Sequence, residues 1–207
     1  MDAGTFKAAI HVISTVLEIP AIIVLILAVL VVIYQLGSII VEFLIERRGK
    51  KTDIPAVLEK ISGKKHYEAL KILEANPFPK SQKRIFERLL TSTLKSTDEM
   101  RLLASELLAG EESRLEKKMS VTDIIARIGP MFGLMATLIP LGPGLIALGQ
   151  GDTKTLSESL LTAFDATVAG LAAAGVAFII SKTRKRWYQM DLTMLETILD
   201  GVTGHAK

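Results

Sequence analysis

Few residues in this chain could do chemistry, and their absences narrow it further. Cysteine is missing, which excludes disulfides and thiol catalysis. Histidine occurs only at 11, 66 and 205, so no His/Cys metal-ligand spacing exists and no metal or other cofactor is expected. The exceptional side chain is Asp165. It sits in the apolar run LLTAFDATVAGLAAAGVAFII, Leu160 to Ile180. In a bilayer a carboxylate there costs about 2.5–3.5 kcal/mol on insertion scales, so it must face a cavity or a partner group. A carboxylate so placed is a candidate proton acceptor. The bland alternative puts Asp165 within snorkelling reach of the outer interface, about one and a half turns past Leu160. Helical spacing sets Thr162 and Asp165 on one face with Glu158 and Ala169. Thr167 falls on the opposite side with Ala163, Gly170 and Ala174. One face suits a water path, the other a neighbouring helix. Thr137 is the sole hydroxyl in a second apolar run, and a threonine in lipid commonly bonds back to its own helix.

The elements that must position these residues are long helices. Of the 207 residues, 49% are hydrophobic, and mean hydropathy is +0.39. Much of that content lies in unbroken runs rather than amphipathic stripes. A spanning helix needs about 20 mostly apolar residues. Ile19 to Ile45 is the first candidate. It is too long for a signal peptide, and no small-residue cleavage site follows. Pro20 falls near its expected start, where a missing N–H costs little. The second candidate, Ile128 to Leu148, has no charge but contains Pro130, Pro140 and Pro143. It predicts a kinked span that faces protein or a wet cavity, because freed backbone groups need partners. The third run follows a turn-rich loop, Gly149-Gln150-Gly151-Asp152. Thr155 and Glu158 have capping-box spacing, which predicts a helix start near Leu156. Small residues at Gly129, Gly133, Gly170 and Ala174 let helix backbones approach closely.

Charge sets the expected orientation. Eighteen of the 25 lysines and arginines lie between 47 and 127, and five more follow the third run. Positive residues stay cytoplasmic, so the N-terminus and the 149–159 loop are expected outside. Lys182 to Arg186, with Trp187 and Tyr188, read as interfacial anchors, and the basic clusters read as topology rather than nucleic-acid binding. Between 46 and 127, apolar stripes begin after Asp53, at Tyr67, at Ile85 and after Ser96, with a stop at Asn76-Pro77. No breaker separates Glu111 from Ile128, which predicts one long helix entering the second span. A last helix follows Arg186.

The expected fold class is all-α: an integral membrane protein with three transmembrane helices and long cytoplasmic helical extensions. Its parts are an outer N-terminus and first transmembrane helix (1–45), a cytoplasmic helical region (46–127) and a second transmembrane helix (128–148). An outer loop (149–159), a third transmembrane helix (160–181) and a basic cytoplasmic C-terminal helix (182–207) complete it.

Two short motifs carry a family resemblance. Gly-Pro-Met-Phe-Gly-Leu-Met-Ala-Thr-Leu-Ile at 129–139 resembles the second-helix signature of the MotA/TolQ/ExbB proton channel family, roughly A-P-x-x-G-L-x-G-T-V. Ala-Thr-Val-Ala-Gly-Leu-Ala-Ala-Ala at 166–174 resembles its third-helix signature, A-T-x-x-G-L-x-x-A. The expected topology agrees with the family over nearly the whole chain. The resemblance implies that Thr137 and Thr167 line a pore. It implies a homo-pentamer in the inner or plasma membrane enclosing two copies of a single-span partner of ExbD/TolR/MotB type. That partner carries a membrane aspartate, and the flow of protons or Na⁺ drives mechanical work in the envelope. Two departures stand out. Where ExbB-like members carry a third-helix glutamate, this chain has Thr162, and Asp165 is the candidate replacement. Pro140-Leu-Gly-Pro143-Gly is also more broken than the usual second helix. The alternative is a non-conducting oligomeric membrane scaffold, in which the same polar groups only bond helix to helix. An enzyme is not expected, since no nucleophile–base pair is evident and no histidine lies in a span.

Overall fold

The structure is a computed structural model, and it describes residues 3–44, 53–61, 66–92 and 96–204. Every regular element in these segments is a helix: α1 Ala3–Glu42, α2 Ile54–Ile61, α3 His66–Ala75, α4 Lys80–Leu90, α5 Thr97–Gly149 and α6 Thr153–Gly204. The protein is all-α. Three of the helices, α1, α5 and α6, are long and apolar enough to cross a membrane. The chain divides into two compact units. One holds Met1–Ile39 and Ser120–Lys182, the other Ile40–Met119 and Thr183–Lys207.

The first unit is the apolar one. In α1 the buried positions are Ala21, Leu25, Ala28 and Val32, a single helical stripe. Ala28 and Val32 meet Ile125 of α5 and Ala173 and Ala177 of α6 in a small core. Around it Ile22, Ile26, Leu30 and Ile33 of α1 are exposed. In water such a surface would be unsustainable; in hydrocarbon it costs nothing. Pro20 lies well inside α1 rather than at its start, because the helix begins at Ala3. The expected end of the first span, Ile45, lies outside the described residues.

α5 and α6 are joined by a tight turn. The amides of Gln150 and Asp152 donate to Ala147 O (3.0 and 2.9 Å), and that of Gly151 donates to Leu148 O (2.9 Å). Gly151 adopts φ +83°, a left-handed conformation that glycine takes without a Cβ clash. α6 then starts at Thr153, earlier than the capping-box spacing predicts. Asp152 is the reason: its Oδ1 accepts from the Thr155 amide at 3.0 Å and its Oδ2 from the Thr155 hydroxyl at 2.5 Å. Those bonds hold the Asp152 carboxyl below its ordinary range. α5 stays helical through Pro130, Pro140 and Pro143. Each proline removes one donor, but leaving the helix in an apolar setting would free many more backbone groups. α6 is likewise one helix of 52 residues, with no separate segment after Arg186. No glycine or proline interrupts it between Gly175 and Gly201.

The second unit has the larger core. Val57 and Ile61 of α2, Leu73 of α3, Phe86 and Leu89 of α4, Met100 of α5 and Leu195, Ile198 and Leu199 of α6 pack together. Each fully buried large side chain contributes about 1.5–3 kcal/mol. Phe78 meets Phe86 edge-on at 5.3 Å. The break between α3 and α4 forms where the sequence predicts it: Asn76 Nδ2 donates to Ile72 O at 2.7 Å, and Pro77 and Pro79 prevent continuation.

Candidate functional site

The site is built on the meeting of α5 and α6 in the apolar unit. A Cβ added to Gly170 would lie 2.8 Å from the Gly133 Cα and 3.0 Å from the Gly129 carbonyl oxygen. One added to Gly129 would lie 3.1 Å from the Ala174 Cβ, and one added to Gly144 would lie 3.0 Å from the Ser159 Cβ. The two backbones are therefore nearly in contact, as the small residues at Gly129, Gly133, Gly170 and Ala174 predict. The contacts define an antiparallel register: 129 opposite 174, 133 opposite 170, 144 opposite 159. Continued along the helices, that register sets Thr137 level with Ala166, one residue from Thr167.

Both threonines turn inward. Thr137 is buried and Thr167 half-buried. The Thr137 hydroxyl donates to Leu134 O at 2.6 Å and the Thr167 hydroxyl to Ala163 O at 3.2 Å. Thr162 does the same to Glu158 O at 3.0 Å. With its proton committed to its own helix, each oxygen keeps lone pairs available as acceptors. Asp165 and Thr162 are elsewhere: both are exposed, on the side of α6 opposite buried Ala163, Gly170 and Ala174. Within one chain the structure thus gathers Thr137 and Thr167 but leaves Asp165 and Thr162 facing outward beside Leu161 and Val168. Among the described residues no cluster of three His, Asp or Glu could hold a metal.

A sequence profile of the MotA/TolQ/ExbB proton channel family matches residues 78–197. The chain belongs to that family. The match takes in α4, α5 and most of α6, including both threonines of the close-packed pair. Among curated proteins none matches the chain at significant similarity. As a MotA/TolQ/ExbB family member with three membrane-spanning candidates, it is a membrane proton channel subunit.

Several polar contacts of this family member were invisible in the sequence. In the apolar unit, the Ser181 hydroxyl donates to Asp123 Oδ1, tying α6 to α5. The neighbouring Thr122 is fully buried. In the second unit Arg184 is only 4% exposed and pairs with Glu42 at 3.4 Å, and the Tyr188 hydroxyl also donates to Glu42 at 3.4 Å. Trp187 stacks on Phe43 at 6.1 Å. Arg184 and Tyr188 are therefore packed side chains rather than interfacial anchors. A lone glutamate near the end of the first apolar run, Glu42, was the one available hint, and nothing in the sequence named its partner.

Proposed function

We propose that this chain is the ExbB/TolQ/MotA-like subunit of a motor driven by the proton motive force. It assembles as a homo-pentamer around a single-span ExbD/TolR/MotB-like partner and conducts ions with it to power transport or envelope work. Its N-terminus is outside and its C-terminus cytoplasmic, and its role is ion transport rather than catalysis. One observation supports the reading: the glycine-lined approach of α5 and α6 brings the two signature threonines to nearly one level along the helix pair, each with an oxygen free to accept. Asp165 is the ionisable group of the third span, and its outward face suits a water path lined by several copies. It takes the place of the carboxylate that ExbB-like members carry at the position of Thr162.

Proton flux into proteoliposomes of the complex with its partner tests this. Flux should require the partner and fall in Thr137→Ala, Thr167→Ala and Asp165→Asn while the pentamer persists. Unchanged flux in all three would remove the residue assignments. The scaffold reading expects the oligomer itself to fall apart in the same variants. It is the weaker one, because the hydroxyls of Thr137, Thr162 and Thr167 each bond within their own helix rather than across helices.

A further inference from the structure

The second unit contains a groove of about 410 Å³ that the conduction reading does not use. The start of α4 opens into it: Pro79 is the N-cap residue, at φ −55° and ψ 147°, and no side chain caps the helix. The first-turn amides of a helix have no intrahelical acceptor and carry partial positive charge, which favours an anion. Arg84 and Lys118 add full charges at the rim. The groove also holds carboxylates. Glu111 is bound by both Arg114 nitrogens at 2.7 and 2.5 Å, and Glu42 is paired with Arg184. Asp191 is the third, and Lys80 is a further cation of the lining.

Gln82 is an independent pointer. Its side chain lines the groove and is 3% exposed. Nε2 donates to Asp191 O at 3.1 Å, whereas Oε1 is fully buried and meets no donor. A buried acceptor left without a donor is costly, so an occupant that supplies an N–H or O–H is favoured. Glu42, also in the lining, is the last residue of the first helix stretch long and apolar enough to cross a membrane. We propose that this groove binds a phosphate ester whose neighbouring group donates a hydrogen bond, as in the headgroups of phosphatidylglycerol and phosphatidylethanolamine. The phosphate lies against the start of α4, Arg84 and Lys118, and the adjoining hydroxyl or ammonium donates to Gln82 Oε1.

Native mass spectrometry of the full chain in detergent, titrated with short-chain phosphatidylglycerol, phosphatidylethanolamine and phosphatidylcholine, tests it. Phosphatidylcholine has the phosphate but no headgroup donor. The first two should bind about tenfold tighter than the third, the size of one good hydrogen bond to a buried group. The double variant Arg84→Ala/Lys118→Ala, both exposed positions, should weaken phosphatidylglycerol binding at least about tenfold with helicity unchanged. Gln82→Met should keep the phosphate and erase the preference over phosphatidylcholine. Displacement by glycerol 3-phosphate would assign the site to soluble phosphate esters, and lack of displacement to lipid. Equal binding of all three lipids, or undiminished binding by the double variant, would overturn the proposal.

Discussion

Glu111 shows how a single residue's surroundings set its protonation. It is 8% exposed, and burial alone would raise its carboxyl above the ordinary 4.5. Hydrogen bonds from Arg114 and Ser81, with the charges of Arg114 and Lys118, outweigh that and hold it lower. A carboxyl depressed on folding binds its proton more readily when unfolded. Its contribution to stability is thus fully present above pH 4.5 and is lost as pH falls from there through the folded value. Glu111→Gln should cost about 1–3 kcal/mol at pH 7, between an exposed pair and a fully buried one. Thermal unfolding in detergent at pH 7 and pH 4 checks the sign: the gap between variant and wild type should narrow in acid. A gap that stays constant would mean that the depressed carboxyl is not what the pair stabilises.

At the scale of elements, the α5–α6 packing makes opposite forecasts for glycines of one sequence type. Gly170→Val should disrupt the pair, because even its first carbon meets Gly133 and Gly129 backbone that cannot move aside. The cost is about 1–3 kcal/mol or more, with loss of the assembled channel on size-exclusion chromatography. Gly110, on the same long helix, has nothing within 4 Å of an added Cβ. Gly110→Ala should therefore stabilise by about 0.5–1 kcal/mol, through helix propensity alone. A melting temperature that falls in Gly110→Ala would contradict the geometry. Gly142→Ala is a weaker instance of the same argument, since Pro140 and Pro143 already limit the ladder around it.

For the whole molecule, the exposed apolar surface carries one ionisable group. Met131, Leu134 and Leu138 of α5 and Phe164, Val168 and Leu171 of α6 all stand exposed, with Asp165 among them. Lipid or sister chains can cover the apolar ones, but the carboxylate needs water or a partner group. Because the chain has no cysteine, single-cysteine labelling has no background. In the assembled complex, Thr162→Cys and Asp165→Cys should react with a water-soluble thiol reagent. Ala174→Cys, packed against Gly129, should not. The reverse pattern would place the water path on the other face of α6.

The three spans, the break at Asn76-Pro77 and the family motifs were legible in the sequence because each is a local property. Run length, 3.6-residue periodicity and a proline act on the residues next to them. So was the separation of Asp165 and Thr162 from Thr167, which helical spacing alone dictates. What tertiary structure decided involves partners far apart or competing local signals. Asp152, not the Thr155–Glu158 spacing, set the start of α6 because its carboxylate reached the free amide. Pro20 moved inside α1 once the helix extended back to Ala3. The register that levels Thr137 with Thr167, the Asp123–Ser181 bond and the Glu42–Arg184 pair all depend on which helix faces meet. Periodicity says that a face is apolar or small; only packing in three dimensions chooses what lies against it, because many pairings bury the same area and close steric fit selects one.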